Sequence, residues 1–252
     1  MGEKNPGAAL LVALCCLNPV VALAAPVPVL VEMFTSEGCS SCPPADLLLQ
    51  RLKQAQPAPG VQVITLSEHV DYWNELGWVD PFSSSGITAR QQRYASAFRA
   101  DPYTPQMVVD GRAQFVGSDS RKAIEAIVEA AKAPKANIGL RCGSSPLTLQ
   151  IRIDNMPGGD ADVLVAIAED ALESKVTSGE NSGRLMPHAS VARRITMIGR
   201  MKRQPTFAWE NSVALEKNWK RENVSLVVFL QDRLTRHILG AAQTALSACA
   251  SK

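Results

Sequence analysis

A chain of 252 residues, with 46% hydrophobic and 20% charged residues, has the composition of a globular protein and not of a disordered one. A net charge of +2, with no Lys/Arg cluster interleaved with aromatics, argues against nucleic acid or an anionic membrane as partner. Length alone allows one large core or two ordinary ones.

Residues 1–24 read as an export signal. Lys4 supplies a weak basic start, Ala8 to Val21 an apolar stretch, and Ala22-Leu23-Ala24 a small-x-small cleavage site. The stretch is shorter than the ~20 residues of a spanning helix, so no stable membrane span is expected after cleavage. The mature protein is then expected to be secreted or periplasmic. Cys15 and Cys16 leave with the signal, and Cys39, Cys42, Cys142 and Cys249 remain. That even number suits disulfides in an oxidising compartment.

Val29 to Phe34 is an apolar run of strand length, followed by the turn-like Thr35-Ser36-Glu37-Gly38, the pair Cys39 and Cys42, and a segment with Leu48, Leu49 and Leu52 at helical spacing. Strand, C-x-x-C and helix in that order read as a thioredoxin-like redox site. A helix start favours a thiolate and lowers a nearby cysteine's pKa. Pro43 and Pro44 fit a first helical turn that begins near Ser41. Cys39 would then lie just ahead of the helix as the exposed, attacking thiol, with Cys42 resolving.

Val61 to Leu66 reads as a second, mostly buried strand, parallel to the first in a right-handed βαβ unit. The shared rim would carry the C-x-x-C and Ser67-Glu68-His69. An aromatic-rich insertion, 70–100, contains Tyr72, Trp73, Trp78 and Phe82 and a helix from about Ile87 to Phe98. Gln106–Val109 and Ala113–Val116 flank Asp110-Gly111 as a hairpin, and Asp119 or Ser120 caps a helix to Lys132.

Beyond Pro134 the pattern changes to strands alone: Ile138–Cys142, Leu147–Ile153, Val163–Ala168, Ser190–Ile198, Phe207–Val213, Ser225–Leu230 and His237–Ala242. Seven strands in so short a span suggest a β-sandwich. The expected fold is therefore an α/β thioredoxin-like domain over 27–134 followed by an Ig-like β-sandwich domain over 137–248.

The stretches FTSEGCSSCPPAD, HVDYWNELGW, RQQRY, YTPQMVVDG, GENSG and PHASVARR together resemble a family of exported bacterial proteins of unknown function with a thioredoxin-like domain. The resemblance implies a cis Thr104–Pro105 bond, with Pro105 beside the active cysteines, because cis bonds are nearly confined to X-Pro. It also implies that Glu32, a charge within an apolar strand, shuttles a proton for Cys42, although Glu32 lies one residue further from the first cysteine than the family's acid does. A structural Glu32 is the plainer alternative.

The expected activity is thiol–disulfide exchange by Cys39, Cys42, Pro105 and Glu32, with no cofactor. Its partners would be the thiols or disulfides of exported proteins, or a redox partner protein. Two alternatives stay open: a structural Cys39–Cys42 clip, or a copper or zinc site built from Cys39, Cys42 and His69. Trp73, Trp78 and Tyr103 could line a peptide groove or fill a small core of their own. Asn181, His188 and Arg193 are polar residues of the second half that no spacing rule assembles. Cys142 and Cys249 could staple that half, a connectivity that sequence does not give.

Overall fold

The computed structural model describes residues 1–2, 25–204 and 206–249. Most of the expected signal, with Cys15 and Cys16, lies outside the described residues. The apolar VPVLVEMFT forms β1 (Val27–Thr35), which leads through a turn into α1 (Pro43–Ala55). Pro43 and Pro44 take the first two helical positions, where a missing N–H costs no intrahelical bond. β2 (Val61–His69) runs parallel to β1, with Thr35 opposite His69. α2 (Ser85–Phe98) is capped by Ser84, whose side chain accepts from the Ile87 N–H. β3 (Gln106–Val109) and β4 (Ala113–Val116) form the hairpin, and α3 (Ser120–Ala130) is capped by Asp119.

The second half contributes β5 (Asn137–Ser144), β6 (Leu147–Asp154), β7 (Ala161–Glu169), β8 (Leu172–Lys175) and β9 (Leu185–His188). β10 (Val191–Met201), β11 (Thr206–Ser212), β12 (Val224–Asp232) and β13 (Ile238–Ala245) complete it. Seven of these strands coincide with those read from the sequence. The four-residue strands β8 and β9 do not, being too short for an alternation signal.

The expected architecture is overturned. The protein is mostly β, and one eight-stranded mixed sheet, in the order β13-β12-β7-β10-β2-β1-β3-β4, runs through both halves. There is thus no α/β thioredoxin-like domain followed by an Ig-like sandwich. A βαβ unit leaves β2 with an open edge of unpaired backbone groups. β10 covers it: Val191 pairs with Ser67, and the Ser67 N–H donates to Ser190 O at 2.8 Å. Among the described residues β11-β6-β5 forms a second sheet, and β8-β9 a third, two-stranded one.

The cores follow the sheet and not the expected boundary. Leu30, Phe34, Ile64, Tyr94 and Val108 from the first half pack with Ala168, Ala192, Val227, Phe229 and Ile238 from the second in one cluster. Gly111 adds a backbone contact between the halves. Its φ of +62° suits glycine, and a Cβ there would collide with the Arg236 carbonyl. Buried Asp110 accepts from the Leu30 N–H at 2.9 Å and pairs with Lys135. Burial pushes its carboxyl up to about 6 despite that lysine. A second disulfide, Cys142–Cys249, spans 107 residues and ties β5 to the chain's last described turn.

Candidate functional site: a buried disulfide over a polar cluster

Cys39 and Cys42 form a disulfide with a Cα–Cα distance of 5.4 Å, at the start of α1. The bend is fixed by its own backbone. The Cys39 N–H donates to Ser36 O at 3.1 Å, the Cys42 N–H to Cys39 O at 3.2 Å, and the Asp46 N–H to Cys42 O at 3.1 Å. Cys42 is the residue just before the first helical position, so the helix N-terminal field falls on its sulfur. The expected exposed Cys39 is not found: both cysteines are 0% exposed, while Ser40 and Ser41 between them lie at the surface.

Strand alternation sorts what lies beneath. Thr35 of β1 and Ser67 and His69 of β2 share the face covered by α1, and Glu32 and Glu68 point to the other. On the α1 face, His69 Nδ1 lies 2.7 Å from Asp80 Oδ2, and its Nε2 lies 3.2 Å from Ser67 Oγ. Burial alone would lower the His69 pKa, but the Asp80 carboxylate outweighs it and the net shift is upward. Burial likewise opposes ionised Asp80, yet His69 and the N–H groups of Glu37 and Phe82 hold it down. Each therefore favours the charged form of the other.

Glu37 continues the network. Its Oε1 lies 2.8 Å from His188 Nε2, its Oε2 accepts from Trp78 Nε1 at 2.8 Å, and its N–H donates to Asp80 Oδ2 at 2.9 Å. The His69 and His188 rings meet edge to face at 4.9 Å, and Phe82 closes on both. Three groups in this cluster have no hydrogen-bond partner: Thr35 Oγ1, His188 Nδ1 and both carboxylate oxygens of Asp46. Asp46 stands one helical turn after Cys42, and its buried carboxyl lies among His69, His188, Thr35 and Asp80. Burial raises its pKa against the pull of His69, His188 and the neighbouring Thr35 hydroxyl.

Among the expected site residues, Cys39, Cys42, His69 and Pro105 share one end of the sheet. Thr104–Pro105 is cis, and Gln106 pairs with Phe34 at the end of β1. Trp73 sits between, donating to Thr104 Oγ1 at 2.8 Å while packed against Gly38. Trp78 serves Glu37, and Tyr103 donates to Gln114 at 2.5 Å.

Glu32 is not brought to the sulfurs. On the far face it is bound by Arg90 and by Tyr94, whose hydroxyl donates to it at 2.5 Å. The offset of one residue accounts for this, since neighbouring strand residues face opposite sides. The alternative metal set of Cys39, Cys42 and His69 does not assemble either. The two sulfurs are bonded to each other, and no group of three candidate ligands is arranged for a metal among the described residues.

The second half supplies what spacing could not reveal. Asn181 Nδ2 donates to Glu37 O at 2.8 Å and to Cys39 O at 2.9 Å, and Glu180 Oε2 accepts from the Ser40 N–H at 3.1 Å. His188 enters the cluster, whereas Arg193 stays one step away, stacked over Phe82 and Trp219. Asp46 was findable, being four residues after Cys42 in a helix. Glu37, Asp80 and Glu180 carried no short-range signal.

Two solved structures are similar over most of the chain. A protein of Agrobacterium tumefaciens known from an X-ray crystal structure shares 26% identity and a TM-score of 0.71, over 91% of this chain and 99% of that one. HBP35 of Porphyromonas gingivalis shares 14% identity and a TM-score of 0.62, over 91% of this chain and 78% of that one, a likeness of fold alone. No functionally curated protein matches. The model of a protein family of unknown function, DUF1223, matches residues 30–231, and the chain belongs to that family.

Proposed function

We propose that Cys39 and Cys42 are an exchange-active dithiol/disulfide pair acting on exported polypeptides that carry thiols or disulfides. The observation that carries this reading is Asp46, a buried carboxyl without a hydrogen-bond partner and with a raised pKa, one turn from Cys42. A buried, unpaired carboxyl costs stability and invites a chemical explanation. In its protonated form it can donate to a departing Cys42 sulfur.

The step balances without a further oxidant. A substrate thiolate attacks the Cys39 sulfur, the Cys39–Cys42 bond breaks, and its electron pair leaves on Cys42, which takes a proton from Asp46. A second substrate thiolate then attacks the substrate sulfur of the mixed disulfide and frees Cys39 as a thiolate. The substrate's two thiols become one disulfide, and the protein's disulfide becomes two thiols. Run backwards, the steps reduce a substrate disulfide, with Cys39 attacking, Cys42 resolving and Asp46 taking the proton. Asp46 thus assumes the role expected of Glu32, and Pro105, at the head of β3, serves as a positioning residue at the same sheet end.

Four cysteines joined in two disulfides suit an oxidising compartment, which supports an extracytoplasmic location. Among the described residues no helix is long and apolar enough to cross a membrane. The chemistry is that of thioredoxin-like proteins, supported by the C-x-x-C at a helix start and not by the fold as a whole. The second reading, a purely structural clip, is favoured by the zero exposure of both cysteines. The deciding experiment mixes Cys42→Ser and Cys39→Ser proteins, each reduced, with disulfide-bearing exported proteins. The exchange reading expects mixed disulfides on Cys39 with the first variant and none with the second. Capture by neither leaves the clip.

A further inference from the structure

The surface above the disulfide is occupied by the protein's own chain. Residues 176–184 close the β8–β9 hairpin, with the Gly183 N–H donating to Val176 O at 2.8 Å and the Val176 N–H to Arg184 O at 3.0 Å. This tip sits on the C-x-x-C turn through an alternating set of hydrogen bonds: donation to Glu37 O and Cys39 O by the Asn181 amide, and acceptance from the Ser40 N–H by Glu180. An extended polypeptide offers that same alternation of N–H and C=O to a neighbouring backbone.

We propose that Thr177–Gly183 is an internal stand-in for substrate, an autoinhibitory strap on the surface that receives an extended, cysteine-bearing polypeptide segment. The proposal builds on the exchange reading above. Cys39 and Cys42 have zero exposure with the strap bonded to the turn that holds them, and the proposal requires that turn to be uncovered before a thiol arrives. The strap is built to lift. β8–β9 is a two-stranded sheet of its own, paired with no other strand, so its tip is held to the C-x-x-C turn by side-chain bonds and not by a strand ladder. Ser178 Oγ donates to Gly77 O at 2.6 Å, Gln50 Nε2 to Pro187 O at 2.9 Å, and Gly179 packs on Trp78, while His188 on Glu37 and the buried Val176 and Met186 fix the roots of the hairpin, so the lift is confined to its tip. Lifting it uncovers two carbonyls and one N–H beside Cys39, which a substrate backbone with a cysteine would satisfy in turn.

The test measures the rate at which dithiothreitol opens Cys39–Cys42 in the full-length oxidised protein, by quenched alkylation and mass spectrometry, with Cys142–Cys249 as the folding control. Asn181→Asp keeps the shape and loses both donations. It should speed opening about tenfold, and Glu180→Ala about threefold, as expected for two and one modest hydrogen bonds. Unchanged rates in both variants would overturn the strap, while mixed disulfides trapped by Cys42→Ser would still stand for exchange. If Asn181→Asp also exposes Cys142–Cys249, the surface variant Glu180→Ala decides. The second arm replaces dithiothreitol with a ten-residue peptide bearing two cysteines. Methylating one backbone nitrogen beside a cysteine should slow the reaction about threefold, because one modest hydrogen bond is lost. An equal rate for both peptides would overturn backbone recognition. Faster opening by dithiothreitol with no peptide oxidation would keep the strap and refute the exchange reading.

Discussion

Alternate residues of the same two strands support two buried charged clusters of opposite character. On the α2 face, Glu32 is bound by Arg90 and Tyr94, and Gln231 Nε2 donates to the Tyr94 hydroxyl at 2.8 Å. Glu68 lies 3.4 Å from Arg90, and its pKa is raised well above the usual range by burial and by Glu32. On the α1 face, beneath the disulfide, Asp46, Thr35 and His188 keep polar atoms unpartnered. Glu68 too keeps both carboxylate oxygens without a hydrogen-bond partner, so the difference lies in the cation: Arg90 stands against Glu32 and Glu68 on one face, and histidines meet the carboxylates on the other, beside sulfur.

The largest effect separates the two by removing the arginine of the α2 face. Arg90→Leu leaves Glu32 and Glu68 buried without it, and chemical denaturation should show a loss of about 3–5 kcal/mol. The rate of disulfide opening in the remaining folded protein should not change. Asp46→Asn should have the opposite profile. A carboxyl whose folded pKa lies above its unfolded value costs stability once pH rises past the unfolded ~3.9. The variant should therefore be at least as stable as the parent at neutral pH, while exchange slows about 100-fold.

How much of this contrast was legible depends on sequence distance. The period-two reading of VLVEMF already places Glu32 with Leu30 and Phe34, away from the α1 face, and that pattern outweighs the family analogy that paired it with Cys42. Cys39, Cys42 and seven strands of the second half were legible because each is a local signal. Sheet membership was not. The docking of β10 on β2 rests on one pair, Val191 with Ser67, and an edge strand advertises no partner in its own residues. For the same reason Asn181 and His188, more than 140 residues from the C-x-x-C turn they contact, carried no spacing that could place them there.

A smaller effect sharpens the contrast through pH. His69, raised by Asp80, contributes stability that is present below its unfolded pKa of about 6.5 and lost as pH climbs through its higher folded value. Asp80, held down by His69, contributes above about 3.9 and loses it as pH falls through its lower folded value. The pair therefore stabilises across and beyond that whole interval. Imidazole resonances followed by NMR should show His69 titrating above ordinary histidine, and Asp80→Asn should bring it down. His237, lowered by burial and then by Arg112, should titrate below. The smallest effect is a control: Arg121→Ala removes an exposed i,i+4 pair with Glu125 and should cost less than about 0.5 kcal/mol in the same denaturation assay.

The two disulfides allow the most direct test of the claim that Cys39–Cys42 is chemically active. The oxidised protein is equilibrated in dithiol buffers of stepped potential, and each disulfide is read by alkylation and mass spectrometry while circular dichroism monitors folding. The expected result is reversible opening of Cys39–Cys42 in the folded protein at a potential above about −300 mV, with Cys142–Cys249 closed throughout. Opening of Cys39–Cys42 only together with Cys142–Cys249, as the fold is lost, would contradict an active disulfide and leave two structural ones.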